Sequence, residues 1–328
     1  MSKRAIVVGS SGFLGKALAF KLTDLGFQVT GVARRRNQEL DKWGVNQVQV
    51  DIGESNNNLS DIFSGSEVVF HTAAKVSMWG DPAEFERINV GGTERILESA
   101  RKAGVPHLVY TSSPSVIASG ADLNGVNESI PYPISYEAEY PRTKAYAERL
   151  VLSAHNNGIK TISLRPHLIF GRGDTNLIPK ILERASQKRM IRIGNGKNLS
   201  DFCWIDDCVA AHIQAYEVLK TNPEIGGKPY FISQGDPVPL WWFVDRVLEL
   251  NGMAKVTRSI PTCVAHLVAY GAELIARLKR DGKEPFLTRF LVSEMATNHY
   301  FDISAARDAF RYTPSCSVAQ ALEKTFGR

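Results

Sequence analysis

The sequence predicts an α/β fold: a doubly wound, Rossmann-type parallel sheet over residues 1–173, followed by a smaller, mostly helical substrate domain over 174–328. Three observations predict it. A short apolar, β-branched run leads directly into a glycine-rich turn and then into an amphipathic stretch that stops at Gly26. Strand-like runs then alternate with helical periodicity as far as Gly173, the pattern of βαβ units. Beyond Gly173 helical periodicity dominates, with short strand-like runs near 190–193 and 229–233.

Ala5-Ile-Val-Val8 reads as a buried strand. Gly9-Ser-Ser-Gly12-Phe-Leu-Gly15 follows, and Leu14, Leu18 and Leu22 carry the first helix. Residues 27–33 form a second strand, 48–50 a third ending at Asp51, and 68–70 a fourth ending in His71-Thr-Ala-Ala74. The periodicity of 82–103 predicts one long amphipathic helix, closed by Gly104 and Pro106. Residues 108–110 are a fifth strand, ending in Thr111-Ser-Ser113. A helix over 137–156 carries Tyr140 and Lys144, and 161–164 is a sixth strand ending at Arg165-Pro166. Part of 198–235 is expected to return to the first domain. Ligands of such a sheet bind beyond the carboxyl ends of its strands, where all these unusual residues lie.

Apolar and charged contents of 44% and 22% are those of an ordinary globular chain with a sizeable core. The net charge of +5 is spread over 34 acidic and 39 basic residues without a basic block. That excludes a nucleic-acid binder and suits an anionic ligand. Cys203, Cys208, Cys263 and Cys316 form no C-x-x-C pair, and the seven histidines do not cluster in sequence, so no metal site is expected. His167 stands apart because Arg165-Pro166 brings it toward the site. Free thiols, a strand beginning within a few residues of Met1, and the lack of a long apolar run predict a cytoplasmic protein without a signal peptide or membrane span.

Tyr140 and Lys144 share one face of their helix, a turn apart. A phenol's pKa of about 10 is too high for proton exchange at neutral pH, and a nearby ammonium lowers it. The pair therefore suits general acid–base chemistry on a carbonyl or an alcohol. Tyr216 and Lys220 have the same spacing, but neither a glycine turn nor a serine-rich strand end precedes them; they are expected on a solvated helix face. In the glycine turn, Gly9 allows the bend, Gly12 lets a pyrophosphate approach and Gly15 permits close helix–sheet packing. The second strand ends in Ala33-Arg34-Arg35-Arg36, with no carboxylate for a ribose 2′-hydroxyl and guanidinium groups suited to a 2′-phosphate.

With these motifs the chain resembles the extended short-chain dehydrogenase/reductases over nearly its whole length. The turn is similar to that family's TGGxGFxG, with Val8 and Ser10 in place of Thr and the second Gly. The resemblance implies NADP(H) as cofactor, contacted by Gly9, Ser11, Gly12, Phe13, Leu14 and Gly15 of the turn. It adds Arg34 and Arg35, then Asp51 and Ile52 at the adenine. Thr72, Ala73, Ala74 and Lys75 would border the cofactor, and Pro166 and His167 would lie beside the nicotinamide. It implies Ser113 as the hydrogen bond to the substrate oxygen and Tyr140 as proton donor. Lys144 would tune the tyrosine and hold the ribose, and Asn89 would help hold a proton-relay water.

Pro114-Ser115 stands where sugar dehydratases of the family carry Asp-Glu, which argues against dehydration. The missing acidic residue argues against an NAD-retaining epimerase. The stretches 71–80, 165–174 and 196–206 resemble the 3β-hydroxysteroid dehydrogenase-like branch, and 230–235 followed by 239–241, with 286–290 and 299–303, are most similar to the ketoreductases of bacterial long-chain olefin synthesis. That implies reduction of a hydrophobic 2-alkyl-3-oxoalkanoate by a homodimer. A steroid or sterol dehydrogenase and a nucleotide-sugar enzyme remain alternatives, as do a cofactor-sensing protein and a subunit feeding a partner enzyme. Residues 262–279 carry Val264, Leu267, Val268, Gly271, Leu274, Ile275 and Leu278 at helical spacing, followed by Arg277, Lys279 and Arg280. Such a stripe suits an acyl tunnel, a membrane surface or the core of the second domain equally.

Overall fold

Seven parallel strands form the central sheet of the computed structural model, which describes residues 3–55, 58–279 and 282–327; Arg280 lies outside the described residues. They are β1 (Arg4–Val8), β2 (Gln28–Ala33), β3 (Asn46–Gln49), β4 (Val68–His71), β5 (His107–Thr111), β6 (Lys160–Pro166) and β7 (Pro229–Ile232). The order across the sheet is β7-β6-β5-β4-β1-β2-β3. The chain winds outward from β1 to β3, then returns to β4 on the other side of β1. The direction of winding thus reverses between β1 and β4, and the crevice at their carboxyl ends is where such folds hold ligands. Both strands are almost wholly buried, as a parallel sheet covered on both faces requires.

One face is covered by α1 (Phe13–Asp24), which buries Leu14, Leu18 and Leu22, and by α4 (Ile205–Thr221). The other is covered by α2 (Gly92–Lys102) and α3 (Glu139–Ser153), through Ile96, Leu97, Ala147 and Val151. The uninterrupted helix expected over 82–103 is not uniform. Pro82–Phe85 is α-helical, Glu86–Gly91 is a π-helical turn, and α2 follows. A π-turn adds a residue to the helical repeat and re-aims the side chains within it, and Asn89 is one of them.

The second lobe has its own core around Phe170, Phe202, Trp241 and Phe243, with Phe202 and Phe243 stacked at 3.8 Å between ring centroids. The two lobes exchange segments in both directions. α4 and β7, from 198–235, belong to the first. Leu123–Val126 leaves the first lobe to pair with His299–Phe301 in a small four-stranded sheet. Phe301, Ile303, Ala306 and Phe310 pack back into the core beneath the large sheet. The helix α5 (Thr262–Lys279) corrects one expected role: its apolar stripe does not enter the core of the second lobe.

Tyr216 is also corrected. It is not solvated; its ring is fully buried against Phe70, Phe27 and His107, and its hydroxyl donates to the Glu67 carboxylate at 3.0 Å. Burial and the Glu67 carboxylate both push its pKa up. α4 turns this residue inward because α4 lies against the sheet, a tertiary fact that the four-residue spacing with Lys220 does not encode. Tyr216→Phe is therefore expected to lower stability by about 1 kcal/mol through loss of this bond, with kcat unchanged. Denaturation and steady-state rates of the variant check both halves.

Candidate active site

The turn between β1 and α1 is fixed by contacts that tolerate only glycine. Gly9 has φ 92°, and a Cβ there would lie 2.7 Å from both the Ala73 amide nitrogen and Thr72 Oγ1. The first turn is thus pressed against the end of β4, where Thr72 Oγ1 donates to the Val8 carbonyl at 2.9 Å. A Cβ at Gly15 would sit 2.2 Å from the Gly9 carbonyl oxygen, so α1 approaches as closely as backbone allows. Gly12 differs: its missing Cβ would meet only the Gly9 carbonyl oxygen, at 3.3 Å, and its outer side is open. No side chain caps the N-terminus of α1. Open amides at a helix N-terminus beside a bare backbone are what a pyrophosphate needs. Ser10, where the resemblance expects glycine, is buried beneath Gly31, whose Cβ would lie 2.6 Å from Ser10 Oγ. Gly31 accommodates the departure.

At the end of β2, Arg36 is taken by Asp41 at 2.9 Å. Arg34 and Arg35 are exposed, with no hydrogen bond or ion pair among the described residues. Asp51 Oδ1 accepts from the Gly53 amide at 2.8 Å, and Ile52 is buried against Gly92. These residues follow one another along the rim from the glycine turn, as a dinucleotide site requires.

The catalytic candidates converge at the ends of β4, β5 and β6. Ser113 caps a short 3-10 turn, Pro114–Ile117, by accepting the Ser115 amide at 3.2 Å. Capping uses its lone pair and leaves its proton free to donate. Burial pushes the Tyr140 phenol up to about 12, partly offset by a hydrogen bond with Ser113 and reinforced by the Glu294 carboxylate. The expected lowering by Lys144 is absent. The Lys144 ammonium is turned into the fold, donating to Tyr110 Oη and to the Thr111 carbonyl, both at 2.6 Å. Burial drives its own pKa down to about 7, against the pull of Glu148. Two desolvated groups here overrule their mutual attraction.

Asn89, re-aimed by the π-turn, is a brace. Its Oδ1 accepts the Lys75 amide at 2.7 Å, and its Nδ2 donates to the Lys75 carbonyl at 3.3 Å and to Thr143 Oγ1 at 3.0 Å. It therefore ties the segment after β4 to the helix of Tyr140 and Lys144, and its amide protons are spent on protein partners. Thr72, Ala73, Ala74 and Lys75 line the crevice edge that this brace holds.

Arg165 and Pro166 end β6. Arg165 is fully buried and forms a multidentate ion pair with Glu148, its closest contact 2.6 Å. Tyr132 and Ser163 also donate to Glu148. Despite its burial, Arg165 holds the Glu148 carboxyl below the usual range. The resemblance marked Arg165-Pro166 only as a border of the site; the structure makes Arg165 an internal anchor. Glu148 was missed from the sequence. Its signal was there, because it continues the four-residue spacing Tyr140–Lys144–Glu148 on an otherwise apolar helix face.

His167 is buried, stacked on His299 at 6.1 Å and edge-on to Phe301 at 5.2 Å. Burial pushes its pKa down to about 4. Glu294, on α6 (Arg289–Ala296), sits 3.3 Å from His299 Nδ1, and His299 Nε2 meets Thr297 Oγ1 at 2.7 Å. Donor atoms of His167, Glu294 and His299 lie within 4.8 Å of one another. Both ring nitrogens of His299 already have protein partners, so this is an acid–base cluster facing Tyr140 through Glu294. More than 100 residues separate His167 from the other two in sequence, and no local signal joins them.

The chain is similar to known proteins along most of its length. The family described as 3-beta hydroxysteroid dehydrogenase/isomerase matches residues 6–262. The 2-alkyl-3-oxoalkanoate reductase of Shewanella oneidensis is 36% identical, over 98% of this chain and 84% of that protein. The protein of the same name from Stenotrophomonas maltophilia is 36% identical over 98% of both chains. The decarboxylating sterol-4-alpha-carboxylate 3-dehydrogenase of Mus musculus is 33% identical over 99% of this chain and 90% of its own. Among solved structures, UDP-glucuronic acid 4-epimerase from Bacillus cereus in complex with NAD superposes with a TM-score of 0.76 over 99% of this chain and 97% of its own. At 20% identity that likeness concerns the fold alone.

The burial of Lys144 has a measurable consequence. Its folded pKa, about 7, lies below the unfolded value of about 10.4. Between those values the unfolded chain holds a proton that the folded chain lacks, so this group makes stability rise with pH from about 7 to about 10. Melting of the ligand-free protein and of Lys144→Met across that range should give a difference that grows in favour of wild type as pH rises. A difference independent of pH would show that Lys144 is not desolvated in this way.

Proposed function

The chain belongs to the 3-beta hydroxysteroid dehydrogenase/isomerase family, and from that premise we propose that it is an NADP(H)-dependent ketoreductase of hydrophobic 2-alkyl-3-oxoalkanoates, forming 2-alkyl-3-hydroxyalkanoates. Family and relatives make it an oxidoreductase acting on CH–OH groups with a nicotinamide dinucleotide. The observation that carries the finer reading is the Tyr140 phenol held protonated beside Ser113, at the ligand-binding end of the sheet. A phenol whose pKa is raised to about 12 keeps its proton at any physiological pH, which suits a general acid for ketone reduction.

The glycine turn Gly9–Gly15 with Arg34 and Arg35 would hold the dinucleotide, whose reduced nicotinamide would supply the hydride for the carbonyl carbon. Ser113 donates a hydrogen bond to the carbonyl oxygen and holds it against Tyr140. Negative charge grows on that oxygen as the hydride arrives, and the Tyr140 proton transfers to it, giving the alcohol. The phenolate left behind raises the proton affinity of Lys144, so the lysine is charged when it is needed. Solvent then returns the proton to Tyr140. Asn89 acts through position, keeping Lys75 and Thr143 in register.

The relatives' names support the substrate class. A 2-alkyl-3-oxoalkanoate and a sterol 4-carboxylate oxidised at carbon 3 share one feature: a carboxylate on the branched carbon next to the reacting centre. The sterol reading is the second one for this reason. NADPH consumption should be measured on long-chain 2-alkyl-3-oxo acids, sterol 4-carboxylates and nucleotide sugars in parallel. Turnover of the first, rising with chain length, is expected, and efficient turnover of a nucleotide sugar with inert oxo acids would overturn the proposal. Tyr140→Phe should lower kcat on the preferred substrate by about 10²–10⁴-fold with little change in cofactor affinity.

Free, exposed Arg34 and Arg35 support the choice of NADP(H). A charged hydrogen bond to the 2′-phosphate is worth about 1.5–3 kcal/mol, which gives roughly a 10- to 150-fold preference for NADPH over NADH. Arg34→Ala and Arg35→Ala should erode the preference while leaving NADH-linked turnover. Equal dissociation constants for the two cofactors in wild type would reject it.

A further inference from the structure

Tyr110, fully buried at the carboxyl end of β5, touches Lys144 in two ways. Its hydroxyl oxygen accepts from Lys144 Nζ at 2.6 Å, and the same ammonium lies 4.1 Å from the centre of its ring. The Thr111 carbonyl accepts a second Lys144 proton, also at 2.6 Å. An ammonium carries three protons. Two are directed inward here, and one is left for the crevice.

The direction of the bonds around Tyr110 follows from counting protons. Thr93 Oγ1, on α2, donates its single proton to the Asn89 carbonyl at 2.6 Å. Toward its other partners, Tyr110 and His71, it can only accept. His71 Nε2, 3.0 Å away, therefore carries the imidazole proton, and His71 Nδ1 is a buried acceptor without a partner among the described residues. The Tyr110 proton is likewise committed to Thr93. Tyr110 thus turns only lone pairs toward Lys144. A neutral lysine, which could accept a proton, finds none there. A charged lysine finds an acceptor and an aromatic ring.

The remaining titratable neighbours of Lys144 do not replace Tyr110. Glu148, one turn further along α3, also favours the charged lysine, but its carboxylate is taken up by Arg165, Tyr132 and Ser163. His71 on β4 is held neutral by burial, and Tyr140 on α3 keeps its proton. His212 on α4 is bonded to the Cys208 carbonyl at 2.7 Å and to Thr111 Oγ1 at 2.8 Å.

We propose that Tyr110 is a positioning residue for the reduction: its hydroxyl, with its own proton committed to Thr93, keeps Lys144 charged and anchored, and leaves the third ammonium proton for a ligand in the crevice. The inference rests on the reading of Lys144 as a lysine of the reduction site. It assigns to Tyr110 what the spacing of Tyr140 and Lys144 does not provide. Burial works against the charge on Lys144, and the Tyr110 oxygen works against burial.

Tyr110→Phe tests this, because the ring stays over the ammonium and only the oxygen goes. In ligand-free protein carrying lysine isotope-labelled at Cε, the Lys144 NMR resonance is identified by its absence from Lys144→Met. Its titration is expected near pH 7 in wild type and about one pH unit lower in Tyr110→Phe. The alkaline fall of kcat/KM for NADPH should move by the same interval, leaving the variant up to about ten-fold below wild type. The two enzymes should converge in mild acid, where Lys144 is charged in both; a merely structural defect would not be repaired by protons. Thr93→Val, which frees the Tyr110 proton to turn toward a neutral lysine, should move the titration in the same direction. An unchanged Lys144 titration in Tyr110→Phe, or in Thr93→Val where the former does not fold, overturns the proposal. So does a deficit in kcat/KM that is the same at every pH. Wild-type turnover in Lys144→Met overturns instead the reading of Lys144 on which the proposal stands.

Discussion

The ion pair between Glu148 and Arg165 is the constraint around which the catalytic end of the molecule is arranged. Both partners are out of reach of solvent, so neither tolerates the loss of the other: removing one partner of a buried pair typically costs about 3–5 kcal/mol. Glu148 lies one turn beyond Lys144 and two beyond Tyr140 on α3. Arg165 lies at the carboxyl end of β6. The pair therefore fixes the rotation and the height of α3 against the sheet, and with them the direction in which the phenol and the ammonium point. Tyr132 and Ser163 donate to the same carboxylate and satisfy lone pairs that Arg165 leaves.

A second tie acts from the opposite side. The π-turn aims Asn89 at both the Lys75 backbone and Thr143, so that the strand ending at His71 and the helix α3 cannot move independently. Between the two ties lies a small volume in which burial outweighs pairwise electrostatics. There Tyr140 is driven above its ordinary pKa and Lys144 below its own, and His71 is held neutral by burial, down to about 3. Tyrosine and lysine four residues apart would lower each other's cost of ionising in water. Inside this fold desolvation shifts each toward its neutral form, and charge on either would stabilise charge on the other once the reaction supplies it.

The same balance of burial against charge is reversed at α5. The helix keeps its one carboxylate, Glu273, inside, paired with Arg289, and exposes its leucines and cations. Nothing in the periodicity of residues 262–279 distinguishes a stripe that faces a core from one that faces outward, because the apolar spacing is the same in both cases.

Much of this protein was legible from its residues alone. The parallel sheet and the glycine turn follow from local rules, strand periodicity and positions that accept only glycine, while Ser113, Tyr140 and Lys144 were singled out together by the family resemblance. Adjacent residues share those rules, so a linear reading captures them. What required the fold was everything that depends on which surfaces meet. Tyr216 is buried because α4 lies on the sheet, Asn89 is a brace because the helix carries a π-turn, and His167 meets Glu294 and His299 because the end of β6 comes to the small sheet. Ser10 fits where glycine was expected because Gly31 lies across from it on β2. The lowered pKa of Lys144 and the raised pKa of Tyr140 belong to the same class. Desolvation is a property of the whole surrounding volume, and residues distant in sequence decide how much water that volume admits.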